Sequence, residues 1–111
     1  MTVAIYARVS SNSHEVRCSM RSQLEALRQH MAELGHRVVH AYIDDGGSGA
    51  RLDRPGLEAL RDAAKAGLLR QVWCMTPDRL TRSRADQILI IDELRRYEVE
   101  VRYLAAVEVV A

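Results

Sequence analysis

The feature that most constrains the fold of this 111-residue chain is a hydrophobic pattern that repeatedly changes period. Residues 3–7, "VAIYA", are continuously apolar, as in a strand covered on both faces. Over residues 15–34 the spacing becomes helical, with Met20, Leu24, Leu27, Met31 and Leu34 on one face and Gly35 as the stop. Residues 38–43 read as a second strand. A loop, "DDGGSGARLDRPG", leads into a helix with Leu57, Leu60 and Ala64 on its buried face, Asp53 as its cap, Pro55 in its first turn and Gly67 at its end. A short apolar strand at 72–75, a helix over 84–97 and the alternating Val99, Val101 and Tyr103 complete the order β-α-β-α-β-α-β. The expected fold class is therefore α/β, with a mainly parallel sheet of about four strands flanked by helices and its ligand site at the carboxyl ends of the strands.

That geometry turns attention to the polar residues at strand ends. Ser10, Asp44 and Asp78 each fall at or just after one. Arg8 and Ser10 lie two apart on the first strand and its extension, so both project to one side. In "PDRLTR", a helical turn puts Asp78 four residues from Arg82 and Arg79 three from Arg82. Such spacing alone is most often a solvated salt bridge. Here its position after a buried strand, on the side where the first strand ends in Arg8 and Ser10, gives it weight.

Composition sharpens the reading. Every basic residue except Lys65 is arginine, within a net charge of only +1. GC-rich coding accounts for a general excess. The placement of Arg8, Arg54, Arg79 and Arg82 at element ends points instead to an anionic oxygen target, because guanidinium presents a planar fork of donors to phosphate. A serine hydroxyl among such cations is a candidate nucleophile, and the cations would neutralise the charge of a pentacoordinate phosphorus. The glycine loop lacks the lysine of a P-loop, and no G-x-G-x-x-G opens a helix. Cys18 and Cys74 form no close pair and no Cys/His cluster, so neither a metal nor a cofactor is expected. His36 and His40, four apart in a strand, make no helical metal pair. With no signal-like N-terminus and no spanning run, the expected location is the cytoplasm, with no membrane association. In the 84–97 helix, Ile88, Leu89, Ile90 and Ile91 are apolar in succession, which is wider than one core-facing stripe. Two explanations stand: a helix sandwiched deep in the fold, or a surface for a second subunit.

Four motifs in order, "YARVSS", the glutamine-leucine helix around Gln23, "YIDDGGSG" followed by "LDRPGL", and "DRLTR", resemble the serine site-specific recombinases, the group of resolvases, invertases and large serine integrases. The resemblance covers nearly the whole chain. It implies DNA cleavage by serine attack on a phosphodiester, leaving a 5′-phosphoserine linkage and a free 3′ hydroxyl, then rejoining by the reverse reaction without ATP or metal. By motif the nucleophile is Ser10. Its companions are Arg8, Arg54, Asp78, Arg79 and Arg82, with Gln23 as a supporting residue and Tyr6 as packing. The implied partners are double-stranded DNA and further copies of the chain, as a homodimer and an active tetramer, in a bacterial or phage-encoded, nucleoid-associated setting, with no small-molecule substrate.

Thr76 departs from the pattern, standing where relatives often carry a basic residue. Nothing resembles a helix-turn-helix or zinc ribbon, so residues 1–111 are expected to be a catalytic domain without a DNA-binding region and to bind DNA weakly by themselves. Two other classes compete with this reading: a catalytically silent dimerisation or regulatory domain of the same fold, and a small phosphoesterase.

Overall fold

In the computed structural model, residues 2–8, 14–44, 55–80 and 83–104 are described, with side chains for all of them except 14–19, 78 and 79. The elements are β1 (Thr2–Arg8), α1 (His14–Leu34), β2 (Arg37–Asp44), α2 (Pro55–Lys65), β3 (Gln71–Cys74), α3 (Pro77–Leu80), α4 (Arg84–Arg96) and β4 (Glu100–Tyr103). The four strands form one sheet in the order β2-β1-β3-β4, and every pairing is parallel. The α/β expectation therefore holds. The segment between β3 and β4 holds one helical turn, α3, as well as the expected helix α4.

The uninterrupted apolar run of β1 is explained by its central position. Val3 and Ile5 point to one face, where they meet Leu27 and Met31 of α1 and Trp73 of β3. Ala4 and Tyr6 point to the other, among Leu57, Leu60 and Ala64 of α2, Leu80 of α3 and Leu94 of α4. All five residues 3–7 are fully buried. At about 25 cal/mol per Å² of apolar area, such double-sided burial makes β1 a main contributor to hydrophobic stabilisation. Gly35 and Gly67, at φ +76° and +78°, end α1 and α2 in the left-handed region that side chains with a Cβ disfavour.

The sheet's edges differ. In β2 the register to β1 shifts between Val3, opposite Val38, and Ala4, opposite His40, which leaves Val39 as a bulge. A bulge twists an edge away from further pairing. At the other edge, β4 is only four residues long and carries exposed Glu100 and Arg102. Glu100 accepts from Gln71 Nε2 (2.9 Å), Gln71 Oε1 accepts from the Trp73 indole N–H (3.0 Å), and Arg102 stacks 5.2 Å above the Trp73 ring. His30 meets the same ring edge-on and His36 flanks it, while His40 packs on Tyr42. His30, His36 and His40 are thus aromatic packing, and among the described residues no group of three or more His, Cys, Asp or Glu could hold a metal ion. No described helix is long and apolar enough to cross a membrane.

The deep-sandwich explanation for residues 88–91 is overturned. Within α4 only Leu94 is fully buried, and Ile90 and Ile91 pack partly against the core. Ile88 and Leu89 are 58% and 65% exposed. A helix laid on one face of a sheet buries one stripe, and four consecutive positions span the whole circumference. Arg61 holds α2 to α4 by bonding Glu93 while also bonding Glu58 on its own helix. Those bonds, Glu93's first, raise the guanidinium's pKa.

Candidate active site

Helix α1 covers one face of the sheet and α2 the other. The chain passes from β1 outward to β2, then back across to β3, so the strand order reverses between β1 and β3. In open α/β sheets the crevice outside the carboxyl ends at such a switch point is where ligands bind. Three features converge there: the end of β1 at Arg8, the end of β2 at Asp44, and the turn from β3 into α3.

Arg8 is 4% exposed, although its guanidinium is a charged group at a strand terminus. It lies in register with Asp44 across the β1–β2 ladder. Gln23, also buried, donates from Nε2 to the Arg8 carbonyl at 3.3 Å, tying the middle of α1 to the end of β1. Gln23 thus braces the end of β1 from α1.

Asp44 organises the other side. Its Oδ2 accepts from the Tyr6 hydroxyl at 2.6 Å and from Leu57 N–H at 2.9 Å, and its Oδ1 accepts from Gly56 N–H at 2.7 Å. The first N–H groups of a helix have no intrahelical partner, and a carboxylate there satisfies them and complements the helix dipole. Asp53, the expected cap, lies outside the described residues. The acceptor seen for the first turn of α2 is Asp44, which comes from a different element. Contact is close: a Cβ on Gly56 would stand 2.6 Å from the Ile43 carbonyl oxygen and 3.0 Å from Asp44 Cγ. Tyr6, expected to be packing, is fully buried, and its hydroxyl also joins β1 to this cap. The result fixes the start of α2, and Arg54 is the residue immediately before Pro55.

The third feature, α3, is a single turn that packs on β1 and β3, anchored by the fully buried Leu80. It carries the main chain of Asp78 and Arg79, so both belong to the element at the switch point. Ser83 then starts α4, its hydroxyl accepting from Asp86 N–H. Of the residues named from sequence, Arg8 and Gln23 are seen at the carboxyl end of β1, and Asp78 and Arg79 are placed by their backbone alone. Ser10, Arg54 and Arg82 lie outside the described residues. Asp44, which the motifs do not place among the site residues, carries one signal in the sequence: its strand-end position beside a Gly-rich loop.

A groove of about 330 Å³ lies elsewhere, lined by Ile91, Arg95, Glu98, Val99, Glu100 and Val101. It follows the amino end of β4, away from the strand ends that gather Arg8 and α3, so it is not the candidate active site.

The strand order and the all-parallel pairing define an open, parallel α/β domain, and comparison with known proteins narrows the class. Residues 3–109 match the family model described as Resolvase, N terminal domain, and the chain belongs to that family. It is similar to a protein of Bacillus subtilis (strain 168) named as a DNA recombinase, with 42% identity over 98 residues that cover 87% of this chain and 19% of that protein. The chain thus spans about a fifth of that relative's length. Among solved structures, the N-terminal catalytic domain of TP901-1 integrase aligns with a TM-score of 0.80 and 29% identity, over 94% of this chain and 77% of that one. The C-terminal catalytic domain of ISC1926 TnpA, an IS607-like serine recombinase, aligns with a TM-score of 0.85 and 26% identity, over 94% of this chain and 70% of that one. A resolvase family site-specific recombinase from Streptococcus pneumoniae shares the fold, with a TM-score of 0.83 at 21% identity, over 94% of this chain and 72% of that one.

Proposed function

We propose that the chain is the catalytic domain of a serine recombinase that cuts and rejoins double-stranded DNA. The observation that carries this reading is the buried Arg8, held at the carboxyl end of β1 by the strand ladder and by Gln23 on its carbonyl, two residues before Ser10 in a chain of the resolvase family. A cation so placed favours the developing alkoxide of a serine and the extra charge on a phosphorus under attack. In this reading the Ser10 hydroxyl oxygen forms a bond to phosphorus as the bond to the 3′ oxygen breaks. The serine proton leaves and the departing 3′ oxygen gains one, giving a 5′-phosphoserine linkage and a 3′ hydroxyl. Arg54, Arg79 and Arg82 neutralise phosphate oxygens, and Asp78 relays protons or orients the arginines. The reverse attack by an exchanged 3′ hydroxyl reseals the strand. Bond energy stays in the phosphoserine, so neither ATP nor a metal ion is consumed.

Two copies form a dimer and two site-bound dimers form the active tetramer. The exposed Ile88 and Leu89 on α4 support such association, because paired large apolar side chains on one helix face favour burial against another surface. Sequence choice comes from a DNA-binding region beyond this domain. The test is recombination of a plasmid carrying two sites by the chain fused to a sequence-specific DNA-binding module, in excess chelator and without nucleotide. Expected are recombinant circles whose yield follows site orientation. Plasmid that is bound and paired but never recombined would favour the silent dimerisation domain instead.

A further inference from the structure

Tyr103 ends β4, opposite Cys74 in the parallel ladder, and its ring packs on the cluster that contains Tyr6, Cys74, Leu80 and Leu94. Its hydroxyl oxygen is buried and has no hydrogen-bond partner among the described residues. The Tyr6 hydroxyl, on the same face of the sheet, makes a 2.6 Å bond to Asp44. A phenylalanine would fill the ring's place equally well, whereas a buried hydroxyl without a partner only destabilises the state in which it is found. Buried polar groups are otherwise almost always paired, so an exception of this kind points to a second state in which the partner is present.

The location indicates which state. Tyr103 lies at the carboxyl end of the sheet, where the site is built. The Leu104 N–H bonds the Cys74 carbonyl at 2.9 Å, so the ladder between β3 and β4 closes at Cys74. Beyond it, Met75 and Thr76 leave the sheet and lead directly into α3. Burial raises the phenol's pKa to about 12, so at neutral pH it is a hydrogen-bond donor.

We propose that Tyr103 is a positioning residue for strand cleavage: on assembly with DNA its hydroxyl donates to a main-chain carbonyl of the Met75–Thr76 turn and so fixes α3, which carries Asp78 and Arg79. This rests on the reading of the chain as a serine recombinase. Tyr103 touches neither substrate nor nucleophile in this account. It acts through α3, and its unpaired hydroxyl biases the domain away from the resting arrangement.

The experiment is Tyr103→Phe in two readouts that a merely structural tyrosine would move in the same direction. Thermal unfolding of the unfused 111-residue chain should rise by about 4 °C or more, because a buried unpaired hydroxyl is gone. The initial rate of 5′-end protein–DNA adduct formation, in the chain fused to a DNA-binding module, should fall about tenfold, which corresponds to one lost hydrogen bond, with DNA affinity unchanged. A melting temperature that is unchanged or lower would show that the hydroxyl is already satisfied in the resting domain, and would overturn the proposal. An unchanged adduct rate would overturn it too. A wild-type fusion that binds and pairs its sites yet forms no adduct defeats the recombinase reading itself, and the proposal with it. That result is distinguishable from the others because it appears before any comparison with Tyr103→Phe.

Discussion

Replacing Gly56 by alanine tests how the start of α2 is built. The added methyl would stand 2.6 Å from the Ile43 carbonyl oxygen, 2.9 Å from its carbon and 3.0 Å from Asp44 Cγ. Two of these are main-chain atoms of β2, an element held in register along the whole of β1, so relief has to come from α2. Reaching ordinary contact distances requires the helix to retreat by about 0.5–1 Å. The Gly56 N–H···Asp44 bond of 2.7 Å and the Leu57 N–H bond of 2.9 Å then stretch past useful length. Overpacking costs about 1–3 kcal/mol, and weakening two bonds to a carboxylate adds about 1–2 kcal/mol. Alanine's helix propensity offsets up to about 1 kcal/mol. The net expectation is a loss of about 2–4 kcal/mol, or roughly 10–20 °C in melting temperature for a domain of this size. Circular dichroism melts and urea titrations of the wild type and Gly56→Ala measure it directly. A variant within about 0.5 kcal/mol of wild type would refute the claim that the Asp44 cap is a tight, specified contact.

Asp44→Asn keeps the shape of that cap but replaces one acceptor oxygen with an amide group that faces a donor whichever way it turns. It should cost about 2 kcal/mol in urea unfolding, and a neutral result would mean the three bonds are not what holds α2 to β2. The double change Ile88→Glu with Leu89→Lys should leave monomer stability within about 0.5 kcal/mol, because both side chains are mostly exposed. It should also weaken self-association in sedimentation equilibrium; unchanged association would remove α4 from the subunit contact. The Tyr103 phenol, raised from 10.0 to about 12 by burial, binds its proton more tightly when folded. Folding therefore loses stability as pH rises from 10 towards 12, where the unfolded chain's phenol ionises and the buried one does not, so Tyr103→Phe should flatten that alkaline limb of the stability profile.

What could be read from the sequence followed from local patterning. The doubly buried β1, the amphipathic α1 and the glycine stops at Gly35 and Gly67 all rest on neighbours in the chain, and all stand where expected. Features that rest on distant pairs did not show. Asp44 meets Gly56 twelve residues on and Tyr6 thirty-eight residues back, and no local spacing announces either bond. The bulge at Val39 depends on its register with β1. The Ile88 to Ile91 run was ambiguous because apolar character alone does not say whether a neighbour covers it, and the structure divides the run between a half-buried pair and an exposed one. For the candidate site, the sequence pattern was enough to place Arg8 and the β3–α3 turn at carboxyl ends of strands. The hydroxyls of Tyr6, satisfied by Asp44, and of Tyr103, without a partner among the described residues, could be separated only once their surroundings were known.

In the proposed reaction Ser10 becomes covalently joined to DNA. The direct measurement is to incubate the chain, fused to a sequence-specific DNA-binding module, with a paired-site duplex, quench in detergent, digest, and locate any nucleotide-bearing peptide by mass spectrometry, with Ser10→Ala alongside. Expected are a 5′-phosphonucleotide on the peptide containing Ser10 and none in the variant. A bound, paired complex that yields no adduct, or an adduct that persists in Ser10→Ala, would contradict it.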